Sequence, residues 1–118
     1  MQAPVDLTSL LALRRLQRPD RPDGVARIVT SFLAESGLRL EALRRAVAAG
    51  DARALEDAAH ALKGITGTVG ANQMHDLAMR LEHIGRDGHT AGAATMLTEL
   101  ESALESARPI FDRLRAAV

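Results

Sequence analysis

Apolar side chains recur every three or four residues through nearly every long segment of this sequence, which is the spacing of one face of a helix. Alternating runs of strand-forming residues are missing. Phe32 and Phe111 are the only aromatic residues, so the core has to be built from Leu, Val, Ile, Ala and Met. These residues fill the interfaces between helices in all-α proteins. The pattern therefore predicts an all-α fold.

Residues that start and stop helices divide this pattern into five predicted helices. Asp6, Asp51 and Asn72 are expected to cap the first, third and fourth, and Gly70 to end the third. The predicted ranges are 6–17, 25–49, 52–69, 73–84 and 91–117. Pro109 predicts a kink or break in the last helix. Four amphipathic helices with short connections predict an antiparallel four-helix bundle with an additional short N-terminal helix, and we expect residues 1–118 to form one domain.

The charge and cysteine content exclude several classes of function. Fifteen basic residues balance fifteen acidic ones, so the chain lacks the basic excess that binds nucleic acid. The absence of cysteine excludes disulfides, thiolate metal sites and a cysteine nucleophile. No stretch approaches the roughly 20 apolar residues that span a bilayer, and the first residues lack the features of a signal peptide. We expect a cytoplasmic protein that binds neither nucleic acid nor membrane.

The polar face of the third predicted helix is more unusual than its apolar face. At 100° per residue, His60 points about 160° away from the core residue Leu62 and is expected to be exposed. The residues on the same stripe are Arg53, Glu56, Asp57, Lys63, Gly64 and Gly67. Each glycine costs about 1 kcal/mol in a helix interior, and the missing Cβ leaves room for another surface. Lys63, the only lysine beside fourteen arginines, is a compact charge suited to phosphoryl oxygens.

The run from His60 to Ala71, HALKGITGTVGA, resembles the signature of histidine-containing phosphotransfer (HPt) domains of multistep phosphorelays. In that signature the histidine is followed by Lys at plus three, Gly at plus four, a small residue at plus seven, an apolar residue at plus nine and Gly at plus ten. All of these are present here. The similarity continues through Leu77, Leu81 and Glu82, whereas the outer helices agree with the family in architecture only.

The resemblance implies a phosphocarrier without kinase activity of its own. His60 would accept a phosphoryl group, through Nε2, from the aspartyl phosphate of a response-regulator receiver domain and pass it to another receiver. Lys63 would offset charge on the phosphoryl oxygens, Gly64 would leave room for the receiver's loops, and Glu82 would accept a hydrogen bond from Nδ1. The implied partners are receiver domains and a sensor or hybrid histidine kinase. We expect a monomer with no metal or cofactor of its own, and Mg²⁺ held by the receiver.

The predicted docking surface surrounds His60. Its residues are Ala61, Gly64, Gly67, Thr68 and Met79, with Arg53, Glu56 and Asp57 as local charges that set specificity. Simpler interpretations make Glu82 a partner of Arg86 four residues on, and Met79 a filler at the rim of the bundle. The histidines at 75, 83 and 89 are expected at the surface.

Two other functions stay open at this point. A helical adaptor would keep the docking surface and transfer no phosphate, although it would gain nothing from retaining His60. A phosphorylation domain of the chemotaxis-kinase type would receive its phosphoryl group from an ATP-binding module instead of a receiver.

Overall fold

The computed structural model describes residues 5–17 and 24–116, and all regular secondary structure in these ranges is helical. The helices are α1 (Thr8–Arg15), α2 (Gly24–Ala49), α3 (Ala52–Val69), α4 (Asn72–Arg86) and α5 (Ala93–Ala116). Helices α2 to α5 form a bundle in which α2 packs on α3, α3 on α4, α4 on α5, and α5 back on α2. The short α1 lies against α2 and α3. The predicted all-α class and helical bundle are confirmed. None of these helices, over the ranges described, is long and apolar enough to cross a membrane.

The core is built mainly from leucine and alanine, with one aromatic pair. Phe32 of α2 and Phe111 of α5 contact each other with ring centroids 5.0 Å apart. This contact joins the first and the last helix of the bundle. In α3, Leu55 and Leu62 are fully buried two turns apart. Because burying one such side chain contributes about 2 kcal/mol, these leucines fix which face of α3 points inward and which residues face solvent.

The two ends of α3 form as the sequence predicts. The Asp51 carboxylate accepts a hydrogen bond from the Ala54 N–H at 3.0 Å, which caps the first turn. Gly70 ends the helix with φ of 76°, a left-handed conformation that glycine adopts without a steric penalty. The structure has α3 over the same residues as the predicted third helix.

The starts of α1 and α4 differ from the prediction. The Asp6 N–H donates to the Gly70 carbonyl at 2.7 Å, which holds Asp6 outside α1. Its carboxylate accepts from the Thr8 N–H, and α1 begins at Thr8 with Leu7 in the N-cap position. Asn72 is the first residue of α4 and does not cap it; Ala71 takes that position without a side-chain hydrogen bond.

The ends of α4 and α5 also differ. α4 continues two residues past the predicted end, to Arg86. α5 begins at Ala93 because the preceding turn, closed by a hydrogen bond from the Ala93 N–H to the Thr90 carbonyl, delays the helix. It runs without interruption through Pro109, which lies on the exposed face, so a break there is wrong. The predicted turn at 19–22 and residue 117 lie outside the described residues.

Gly85, one residue past the predicted end of the fourth helix, lies within α4. It is buried, and a Cβ placed on it would lie 2.6 Å from the Ala52 carbonyl oxygen and 2.6 Å from the Glu56 nitrogen. The backbone of α4 therefore touches the first turn of α3, and only glycine allows this approach. The contact brings the residues one turn earlier on α4, Glu82 among them, close to α3.

We expect opposite effects from alanine at two helical glycines. Gly85→Ala is expected to lower the free energy of unfolding by about 1–3 kcal/mol, because the steric clash with α3 exceeds the gain in helix propensity. Gly64→Ala is the matched control: nothing lies within 4 Å of its Cβ position, so alanine is expected to add up to about 1 kcal/mol. Urea denaturation measures both. Equal stabilisation by the two substitutions would contradict the close contact of α3 and α4.

Candidate functional site

His60 lies midway along α3 on its solvent-facing side, and its side chain is 70% exposed, as predicted. Its Nδ1 is 2.5 Å from Oε2 of Glu82, which belongs to α4. An ionised carboxylate can only accept a hydrogen bond, so the proton of the neutral imidazole lies on Nδ1. The lone pair of the ring is then on Nε2, the nitrogen that Glu82 does not contact. The arrangement presents a nucleophilic nitrogen to solvent.

Glu82 is a buried carboxylate, with its side chain only 3% exposed. Its Oε1 accepts from the Lys63 Nζ at 2.7 Å, and its Oε2 lies 3.4 Å from Nη2 of Arg86 in addition to its contact with His60. The hydrogen bond from Lys63 lowers the pKa of the Glu82 carboxyl below its usual value, burial opposes this, and the hydrogen bond with His60 lowers it further. Glu82 is therefore ionised at neutral pH although it is buried.

The Lys63 ammonium makes a contact that the resemblance to HPt domains did not imply. The resemblance implies an ammonium that offsets charge on phosphoryl oxygens, whereas here the ammonium donates to Glu82. An ammonium has three donor hydrogens, and this contact uses one of them. Lys63 lies one turn after His60 on α3, and its side chain is 28% exposed.

Arg86 also belongs to the site. From the sequence, Arg86 was expected only as a partner of Glu82. It forms that predicted i,i+4 contact, and its Nε also donates to Oε2 of Glu56 at 3.2 Å. Arg86 thus links the buried carboxylate of α4 to the first half of α3. The Arg86 side chain is 54% exposed and that of Glu56 is 32% exposed, so the ion pair between these two contributes at most about 1 kcal/mol.

The residues predicted to dock a partner lie on α3, apart from Met79 on α4, and they differ in exposure. Exposed are Arg53, Asp57, Gly64, Gly67, Thr68 and Met79, whereas Glu56 and Ala61 are half-buried. Open space surrounds the Cβ position of Gly64, beside His60. At Gly67 that space is shared with the chain's own His75, whose ring atoms would lie 3.4 Å from the Cβ. The glycines are therefore not equivalent, and Gly64 offers the freer approach.

A groove of about 330 Å³ between α2 and α3 lies beside this stripe, and the sequence analysis missed it. Its apolar lining comes from both helices, and its residues are Arg27, Ile28, Ser31, Phe32, Glu35, Ile65, Thr68 and Val69. The docking residues predicted from the sequence lie only on α3 and α4. A groove formed between side chains of two helices cannot be located before their packing is known.

The prediction that three further histidines lie at the surface is right for two of them. His83 and His89 are exposed. His75 is half-buried, and its Nδ1 lies 3.0 Å from the Lys63 carbonyl oxygen, so it is a contact between α4 and α3. Among the described residues, no three His, Asp or Glu side chains form a group that could hold a metal ion.

Comparison with known proteins places this geometry in a family. The model of the Hpt domain matches residues 27–109, which is well over half of the chain. The chain is similar to the crystal structure of histidine-containing phosphotransfer protein B (HptB) from Pseudomonas aeruginosa PAO1, with a TM-score of 0.89 and 26% sequence identity. That similarity covers 100% of this chain and 99% of the other. No curated protein matches the chain significantly.

The pKa of Glu82 makes its contribution to stability depend on pH. Since folding lowers this pKa from 4.5, the ionised carboxylate stabilises the fold above about pH 4.5, and the contribution is lost as the pH falls through the folded-state pKa. We expect Glu82→Gln to lower the free energy of unfolding by about 1–3 kcal/mol at pH 7 and by less at pH 3.

Urea denaturation of the wild type and Glu82→Gln between pH 3 and pH 7 tests this expectation. Glu99→Gln, on the exposed face of α5, is the control and is expected to change stability by less than about 0.5 kcal/mol. A difference between the wild type and Glu82→Gln that stays constant across this pH range would show that the carboxylate is not held ionised by its neighbours.

Proposed function

Since this chain belongs to the Hpt domain family, whose members are phosphocarriers in phosphorelays and not kinases, we propose that His60 receives a phosphoryl group from one receiver domain and passes it to another. The observation that carries the proposal is the pairing of an exposed imidazole with a buried carboxylate. Glu82 contacts Nδ1 of His60 at 2.5 Å and leaves Nε2 facing solvent. An adaptor that only docks a receiver would need neither feature.

In the first half-reaction, the lone pair on Nε2 of His60 attacks the phosphorus of the receiver's aspartyl phosphate. The N–P bond forms as the P–O bond to the aspartate breaks, and the aspartate leaves as a carboxylate. The imidazole gains positive charge while its proton stays on Nδ1. Glu82, ionised and 2.5 Å away, stabilises that charge as it develops.

The second half-reaction reverses these steps on a different receiver. The carboxylate oxygen of its aspartate attacks the phosphorus, and Nε2 leaves with the electron pair of the N–P bond. His60 returns to the neutral form with its proton on Nδ1, still hydrogen-bonded to Glu82. Because the imidazole is both a good nucleophile and a good leaving group, one oriented histidine serves both directions.

Lys63 and the receiver supply the charge that the phosphoryl group requires. Lys63 lies one turn after His60 on α3, and its ammonium, which donates one hydrogen to Glu82, would donate another to a phosphoryl oxygen. We propose that the Mg²⁺ needed for the transfer is held by acidic residues of the receiver and is not a ligand of this chain.

The proposed receiver-docking surface is the exposed stripe of α3 together with the groove between α3 and α2. Gly64 leaves open space next to His60, so the active-site loops of a receiver can approach the imidazole. Thr68 directly follows Gly67 of the stripe and also lines the groove, which makes the two surfaces continuous. Arg53 and Asp57, exposed two turns and one turn before His60 respectively, would provide local charges of both signs.

His60→Gln separates a carrier from an adaptor. We expect wild-type protein, mixed with phosphorylated receivers from its own organism, to acquire a label that is acid-labile and base-stable, and that a second receiver removes. His60→Gln is expected to acquire no label while it binds the receiver within about threefold of the wild-type affinity, because the substituted side chain is one of many at the interface. His83→Gln, exposed on α4, is the matched control and is expected to transfer like the wild type.

Two results would contradict the proposal. Receiver binding without any label on the wild type would leave a docking adaptor. Label that appears only with an ATP-fed kinase, and never from a receiver, would indicate a phosphorylation domain of the chemotaxis-kinase type.

A further inference from the structure

His75 holds α3 at the turn that follows His60, and the transfer chemistry described above does not use it. It lies on α4 seven residues before Glu82, so the two side chains share one face of α4 about two turns apart. Its Nδ1 is 3.0 Å from the backbone carbonyl oxygen of Lys63 and 3.3 Å from the Thr66 hydroxyl. Since a carbonyl oxygen can only accept, Nδ1 of His75 carries a proton and donates it to Lys63.

Lys63 is therefore held by α4 at both of its ends. Glu82 accepts a hydrogen bond from the ammonium, and His75 donates one to the backbone carbonyl. The Thr66 hydroxyl, fully buried, lies 3.0 Å from the same carbonyl and 3.0 Å from that of Leu62. Two side chains, those of His75 and Thr66, thus contact the backbone carbonyl of Lys63, while Glu82 holds its ammonium.

This part of α3 is the part that most needs support. Gly64 and Gly67 each lower its helix propensity by about 1 kcal/mol relative to alanine. The ring of His75 packs where Gly67 lacks a side chain, with two ring atoms 3.4 Å from the position of a Cβ. The glycine makes room for the imidazole, and the imidazole holds the turn that the glycines weaken.

We propose that His75 is a positioning residue for phosphoryl transfer at His60. By holding the Lys63 backbone against α4, it keeps the ammonium on Glu82, and Glu82 in turn orients the imidazole of His60. The expected effect of His75 on phosphoryl transfer rests on the proposed function. Its expected effect on the arrangement of Lys63, Glu82 and His60 rests on geometry alone. Small displacements of an oriented group slow a reaction steeply, so loss of the His75 hydrogen bond is expected to show in the rate.

Two substitutions distinguish hydrogen bonding from packing. His75→Leu keeps an apolar side chain of similar size without a donor, whereas His75→Asn places an amide nitrogen where Nδ1 was. In single-turnover transfer from a phosphorylated receiver, we expect His75→Leu to be about tenfold slower at unchanged receiver affinity, and His75→Asn to stay within about twofold of the wild type. His83→Leu, exposed on the same helix, is the control. If His75→Leu does not fold, His75→Gln, whose amide nitrogen lies one bond too far out, replaces it.

A second measurement does not depend on transfer. Long-range ¹H–¹⁵N NMR spectra report which nitrogen of the His60 imidazole carries the proton. The wild type and His75→Asn are expected to show the Nδ1–H tautomer, and His75→Leu a mixture of both tautomers. A His75→Leu protein with the wild-type tautomer and transfer rate would overturn the positioning role. Wild-type protein that accepts no phosphoryl group would overturn the proposed function instead, and the tautomer of His60 would still decide the role of His75.

Discussion

The buried carboxylate of Glu82 is the interaction on which the site depends. Removing a charge from water costs several kcal/mol unless polar partners replace the lost hydration, and here the partners come from both helices. Lys63 and His60 reach it from α3, and Arg86 from its own helix. One group thus joins α3 to α4, anchors the lysine and fixes the tautomer of the histidine. Structure and chemistry share the same hydrogen bonds, so a substitution that weakens the first also disturbs the second.

The carboxylate can do this because the backbones of α3 and α4 approach closely at two levels. Gly85 removes the side chain that would hold the helices apart one turn after Glu82. Two turns before Glu82, His75 fills the space left by Gly67 and donates to the Lys63 carbonyl. The helices are therefore fixed on both sides of the carboxylate, and preorganised groups of this kind need little rearrangement when charge develops on the imidazole.

The sequence predicted the parts of this arrangement that follow from helix periodicity. The burial of Leu62 puts His60 on the exposed face of α3, and helix spacing puts Lys63 one turn after it. Glu82 was suggested as a partner of His60 only by the resemblance to HPt domains. The contacts between helices were not predictable in this way. The predicted fourth helix stopped at residue 84, and the contact of Gly85 with the backbone of α3 was not visible in the sequence. His75 was predicted at the surface because its acceptor, the Lys63 carbonyl, lies twelve positions away in the sequence. Both contacts depend on how α3 packs against α4, and the spacing of residues along the sequence does not show this packing.

The central claim is that Glu82 occupies Nδ1 of His60 and leaves Nε2 as the phosphoryl acceptor. The most direct test is to phosphorylate ¹⁵N-histidine-labelled protein with phosphoramidate, a small donor that needs no partner protein, and to identify the bonded nitrogen from ³¹P–¹⁵N coupling. We expect a single phosphohistidine at His60 with phosphorus on Nε2 and a proton retained on Nδ1. Phosphorus on Nδ1, or on a different histidine, would contradict the account.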